Sequence, residues 1–148
     1  MKASQTEARQ YNRFVSGFVP PRPVVRNALL AFLVGGTICA IAQLVLSFLL
    51  VRGIPEVRAL GYTAAVMIAL GSVVTAFGVY DEIGRVGGMG AALPITGFAN
   101  SIVSEAMEFR REGLVLGVGA RMFSIAGPVI VYGLLAAALV TVVRLVIK

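Results

Sequence analysis

The sequence predicts an all-α integral membrane protein of about four membrane segments, the last two of them broken. Three observations carry this. Hydrophobic residues make up 58% of the chain against 14% charged, with a mean hydropathy of +0.91. The apolar residues are gathered into uncharged runs, and a helix needs about 20 such residues to cross a bilayer. Prolines fall inside apolar runs only in the second half, at Pro94 and Pro128, each with glycine nearby. A single membrane domain, 27–148, follows a polar leader, 1–26.

The leader carries Lys2, Arg9, Arg13, Arg22 and Arg26. No apolar core of a signal peptide precedes the first span, which is therefore expected to act as its own uncleaved insertion signal. Tyr11, Phe14, Val15 and Phe18 fall at i, i+3, i+4 and i+7, one apolar stripe if residues 5–18 are helical. With Arg9 and Arg13 flanking it, this reads either as a short helix in the membrane interface or as a disordered tail. Pro20, Pro21 and Pro23 end any helix and give an extended elbow into the membrane.

Asn27 to Val51 is uncharged for twenty-five residues and is the clearest span. Gly35, Gly36 and Ala40 give it a thin face for a neighbouring helix, and Gln43 reads as interhelical glue. After the polar turn Arg52 to Arg58, the second span is expected over 59–80, with Tyr62 and Tyr80 near its ends in the aromatic belts. Asp81, Glu82 and Arg85 make the next connection.

Residues 86–109 form a segment uncharged for nineteen residues between Arg85 and Glu105, yet it reads badly as an ordinary helix. Gly87, Gly88 and Gly90 loosen its first half, Pro94 removes a backbone donor, and Gly97 follows. Thr96, Asn100, Ser101 and Ser104 bring polar side chains. Such interrupted segments point to the site of a transporter or channel, because irregular backbone at membrane depth must face protein or a water-filled cavity. A kinked helix buried in a bundle is the structural alternative. The cluster Glu105, Glu108, Arg110, Arg111 and Glu112 then interleaves both signs at helical spacing. It is either a solvated, salt-bridged helix end or a charged pore mouth.

The last run, 114–143, is thirty residues long and apolar apart from Arg121. A half-length segment, a break at Gly127-Pro128 and a final span from about Pro128 to Val143 are expected. Arg121 is either functional, as intramembrane charges tend to be, or snorkels to the interface. Gly84-x-Val86-x-Gly88-x-Gly90-Ala91 recurs as Gly113-x-Val115-x-Gly117-x-Gly119-Ala120, as paired broken helices would.

Several function classes are set aside. The chain has no histidine and one cysteine, so the usual zinc, copper and haem ligand sets and the Ser-His and Cys-His nucleophiles are missing. Neither metal, cofactor nor enzymatic activity is expected, and Cys39 reads as a buried apolar thiol. The glycines lack the flanking context of a nucleotide loop. The net charge of +6 has five of thirteen basic residues in the leader, which indicates topology and an anionic lipid surface rather than nucleic acid. Four passes put eight basic residues inside (the leader's five, Arg85, Arg144 and Lys148) against four outside (Arg52, Arg58, Arg110 and Arg111). This favours a cytoplasmic N-terminus. If Arg85 to Glu105 is re-entrant instead, the C-terminus moves outside.

FLVGGTICAIAQ at 32–43, GVYDEIG at 78–84, PITGFANSIVSEAMEF at 94–109 and REGLVLGVGARMFSIAGPVIVYG at 111–133 together resemble the SpoVA family of spore membrane proteins, within it the AC/Eb type. The long basic leader resembles the AC branch. The resemblance covers roughly 10–140. It implies a subunit of a channel or transporter in the inner membrane of the spore or forespore, moving dipicolinic acid with calcium during sporulation and germination. It also implies gating by membrane tension, broken membrane helices, and as partners a SpoVAEb-like membrane subunit and a SpoVAD-like soluble subunit.

Dipicolinate is a planar dianion, and half-helix N-termini offer it unpaired N–H groups and partial positive charge. Such ends are expected near Thr96 to Asn100 and near Ser124 to Gly127. Arg121 would add a full charge and Asn100 and Ser101 neutral donors. Glu105 and Glu108 would repel a bare anion or meet its calcium. The alternative is a non-conducting assembly subunit whose glycine faces pack partners and whose leader docks a soluble protein. A drug-type exporter would need an acidic residue deep in a clear span, and the two clear spans contain none.

Overall fold

The computed structural model describes residues 2–18 and 23–147. Those residues are helical apart from short turns, with no strand among them: α1 (Lys2–Ser16), α2 (Val24–Val51), α3 (Glu56–Ala76), α4 (Val79–Gly87), α5 (Met89–Ala92), α6 (Ile95–Glu108) and α7 (Ala120–Ile147). A 3₁₀ turn over Phe109–Glu112 and a π-helical turn over Leu114–Gly119 join α6 to α7. Three stretches are long and apolar enough to cross a membrane: Val24–Val51, Glu56–Ala76 and Leu114–Ile147.

Helices α2 and α3 form an antiparallel pair. Pro23 and Pro55 stand immediately before them, where a missing N–H is harmless because the first turn has no acceptor for it. One stripe of α3 is buried, and it repeats every fourth residue: Ala59, Thr63, Met67, Gly71 and Thr75. The Thr63 and Thr75 hydroxyls lie 2.8 Å and 2.7 Å from the carbonyls of Ala59 and Gly71, so polar side chains sit in this stripe without needing water. On α2, Gly35 approaches Gly90 while Gly36, Ala40 and Gln43 face outward. The Gln43 amide reaches Ser47 of its own helix at 3.4 Å rather than a second helix. Cys39 is also exposed, on a helix with no buried residue, rather than buried.

The second span ends at Ala76, earlier than expected, and Gly78 in the left-handed region (φ +72°) turns the chain. Tyr80 is consequently not a belt residue. It lies on α4 and is 5% exposed.

Segment 86–109 is broken twice, between α4 and α5 at Gly88 (φ +50°) and before α6 at Pro94. The pieces α4, α5 and α6, of 9, 4 and 14 residues, are each too short to cross a bilayer. They fold back on the α2–α3 pair. A Cβ on Gly90 would overlap Ala31 O of α2, and one on Gly71 would stand 3.0 Å from Thr96 Cα. Only hydrogen fits at Gly90, and at Gly71 a methyl would require Thr96 to give way. Gly71 meets Thr96 and, one turn on, Thr75 meets Asn100, so α6 runs in the same sense as α3. It leaves the bundle at the end where α3 finishes and α2 begins.

Helix α7 returns antiparallel to α6, with Arg121 stacked on Phe109 and Ile125 and Val129 beside Gly97 and Asn100. The break expected at Gly127-Pro128 does not occur: Pro128 lies inside α7. Proline deletes one i→i−4 bond, and membrane helices tolerate that loss. In a run this apolar nothing favours exposing further backbone. At 34 residues the Leu114–Ile147 rod is about 51 Å long, and α7 has no buried residue. The charge cluster forms no ion pair among the described residues, the salt bridge present being Arg85–Glu82 on α4. Nor are the two glycine repeats structural copies. The first breaks into α4 and α5, whereas the second turns at Gly113 (φ +100°) into one unbroken rod.

Candidate functional site

At the crossing of α3, α4 and α6 lies a buried polar cluster. The Tyr80 hydroxyl is 2.9 Å from Ala91 O and 2.7 Å from Thr96 Oγ1. The Thr75 hydroxyl is 2.7 Å from Gly71 O and 2.8 Å from Asn100 Oδ1. A hydroxyl has one hydrogen to give. Tyr80 therefore donates to Ala91 O and accepts from Thr96. Thr75 donates to Gly71 O and accepts from Asn100 once the amide is turned so that Nδ2 faces it, an assignment the hydrogen-bond network decides. Every buried side-chain polar atom among the described residues has a partner, as a stable apolar surrounding demands.

Beside this cluster, between α4, α5, α6 and α7, opens a cleft of about 680 Å³. Its polar lining comes from Tyr80, Asp81, Asn100 and Ser101, and its apolar wall from Leu93, Phe98, Ile125 and Val129. It is open on one side. Asp81 is exposed and has no ion-pair partner among the described residues, since Arg85 is held by Glu82. The N-terminus of α6 carries no side-chain cap, which leaves it a partial positive charge.

The expected site residues divide. Asn100, Ser101 and Gly97 line the cleft. Thr96 is 5% exposed and turned inward onto Tyr80. Pro94 starts α6 as a break should. Gly97 is no break, lying in the first turn of α6, where a Cβ would overlap Ala91 O and Ala92 O. Glu105 is half-buried and Glu108 exposed. With Gly97 and Ser101 they recur at i, i+4, i+8 and i+11, so one face of α6 leads from the cleft toward its charged end.

Arg121 lies outside the cleft lining, its guanidinium 3.9 Å above the Phe109 ring. Ser124 donates to Arg121 O at 2.7 Å, bent back on its own helix. Because α7 is continuous through Gly127 and Pro128, the second half-helix N-terminus expected near Ser124 to Gly127 is absent. Sequence reasoning missed Tyr80, Thr75 and Asp81. The one available signal was GVYDEIG, a polar insert of two acids and a phenol between apolar runs. Among the described residues no three His, Cys, Asp or Glu side chains gather as a metal site.

A family model described as "SpoVAC/SpoVAEB sporulation membrane protein" matches residues 27–143. The chain is 47% identical over 135 residues to Stage V sporulation protein AC of Bacillus subtilis (strain 168), covering 90% of each. No solved structure matches it.

Proposed function

Since the chain belongs to the SpoVAC/SpoVAEB family of sporulation membrane proteins, we propose that it is a transport subunit rather than an enzyme. In this reading it forms part of the SpoVA assembly that moves dipicolinic acid, with calcium, across the spore inner membrane in sporulation and germination. Its partners are a SpoVAEb-like membrane subunit and a SpoVAD-like soluble subunit.

The observation that carries this reading is the half-open cleft at the start of α6, a mostly apolar hollow into which Asp81, Asn100 and Ser101 bring polar groups. The Asn100 amide and the uncapped end of α6 offer donors to the solute's carboxylates, while the Ser101 hydroxyl, its hydrogen given to Phe98 O, offers its oxygen to the calcium. Asp81 supplies negative charge, so a bare dianion is disfavoured there and a calcium chelate is not. Glu105 and Glu108 continue that acidic path outward, and Arg121 is a positive post near its mouth. Ser124 serves only the backbone of α7. Tension in the bilayer is the opening stimulus, favoured by the lipid-facing extent of α2 and α7.

Three crossings put the two ends of the described chain on opposite sides. Of the basic residues the structure describes, Lys2, Arg9, Arg13 and Arg26 then share one side with Arg85, Arg110, Arg111 and Arg121, eight in all, against Arg52, Arg58 and Arg144 on the other. The bias supports a cytoplasmic, spore-core N-terminus.

One observation favours the assembly-subunit reading instead: the cleft lacks a wall on one side, and α7 buries nothing. A conduit built here needs that wall from a neighbouring chain. The test is to let this chain replace its relative in Bacillus subtilis, with Ser101→Phe placed to fill the cleft. Spores lacking dipicolinic acid while the variant still inserts and assembles support the conduit. Normal dipicolinic acid content refutes it and leaves assembly as the role.

A further inference from the structure

From the amphipathic leader we infer that α1 is a docking element for the anionic headgroup layer of the bilayer, laid flat beside the foot of α2. Tyr11, Phe14 and Phe18 are 68%, 68% and 74% exposed. Tyr11 and Phe14 fall within one narrow sector of α1, which turns about 100° per residue, and Phe18 follows in the turn just past its end. The Phe14 and Phe18 rings touch, with centroids 5.1 Å apart, forming one continuous aromatic edge. Arg9 and Arg13, both exposed, project from the opposite side. An apolar aromatic face backed by an arginine face is the pattern of a helix lying in the membrane interface.

Chain connectivity names the occupant. Phe18 and Pro23 are five residues apart, so this edge lies within about 18 Å of the start of α2. Arg26, in the first turn of α2, marks headgroup level there. A helix tethered so closely to a membrane crossing meets lipid before any other partner. Its positive side chains suit phosphatidylglycerol-like or cardiolipin-like headgroups.

The test uses the full chain with Cys39→Ala and one cysteine at a time carrying a spin label, reconstituted in phosphatidylcholine vesicles with or without phosphatidylglycerol. Labels replacing Tyr11, Phe14 or Phe18 should be reached by oxygen and not by a water-soluble nickel complex. Labels replacing Arg9 or Asn12 should show the reverse. Anionic lipid should favour the docked helix by about fivefold for each arginine, and Arg9→Gln with Arg13→Gln should remove that dependence. A label at Asn12 combined with Phe14→Ala reports undocking without touching the rest of the bundle. Uniform access of the nickel complex overturns the inference in favour of a free tail. Aromatic positions shielded from both reagents overturn it in favour of a protein cover, and depth indifferent to phosphatidylglycerol overturns the headgroup assignment.

Discussion

Replacing Tyr80 with phenylalanine should loosen the folded-back segment selectively. The ring keeps its place, but Ala91 O loses its donor and Thr96 its acceptor, both in positions 5% exposed or less. Side-chain hydrogen bonds between membrane helices average about 0.6 kcal/mol, so two give about 1.2 kcal/mol as a lower figure. A buried carbonyl left unpaired sets an upper figure of about 3 kcal/mol. The opening equilibrium of the segment should rise by about 8-fold to about 150-fold. Hydrogen exchange of the protein in lipid nanodiscs measures this directly, because local opening reports local stability. Amides from Ala91 to Asn100 should exchange faster by that factor, while those in the middle of α2 stay unchanged. Unchanged exchange at Ala91–Asn100 would refute the bridge. An equal rise in α2 would mean that Tyr80 holds the whole bundle rather than the folded-back piece.

The glycine crossings separate by what each would strike. Gly90→Ala drives a methyl into backbone and should destabilise by about 1–3 kcal/mol in a detergent unfolding titration followed by circular dichroism, with no rescue from changes at Ala31. Gly87→Ala meets the Val34 side chain at 2.6 Å, so Val34→Ala should restore it. Rescue at both positions would contradict the backbone contact. Asp81→Asn should raise passage of bare dipicolinate relative to its calcium chelate by about fivefold, the factor for about 1 kcal/mol between unit charges 4 Å apart in water. An unchanged ratio in vesicle flux removes Asp81 from the path. Arg121→Gln should slow dipicolinate entry most strongly at low salt, as loss of steering does, while Arg121→Lys keeps the rate. If lysine fails as badly as glutamine, the stacking on Phe109 rather than the charge is what matters.

The long helices were legible because an uncharged run of bilayer length has few other uses. Asn27 to Val51 lies within α2 nearly end to end, and the terminal run became a helix reaching Ile147. The folded-back hairpin was not legible in the same way. Its glycines read as loosening points, yet Gly87 and Gly90 are packing points whose partners, Val34 and Ala31, lie more than fifty residues earlier. Nothing local distinguishes a glycine that frees the chain from one that lets another backbone approach. Pro94 and Pro128 make the same point in reverse. Pro94 stands at the junction of two short helices, α5 and α6, whereas Pro128 sits in a rod with apolar turns on both sides, and the rod absorbs it.

A polar side chain in an apolar run has two physical uses, and composition does not tell them apart. It can face a solute, or it can satisfy a carbonyl that lipid would leave bare. Thr63 and Thr75 spend their hydroxyls on their own helix, and Thr96 spends its own on Tyr80. Ser124 bends back on α7 in the same manner. Asn100 is the divided case: one end of its amide meets Thr75 while the residue still lines the cleft. Ser101 lines the cleft while donating to Phe98 O, so its oxygen lone pairs rather than its hydrogen are first available. A solute entering here must therefore compete for the Ser101 hydrogen, or bring a positive centre for that oxygen and for Asp81. Under the transport function proposed above, the second course suits a carboxylate that arrives with its calcium better than it suits the free acid.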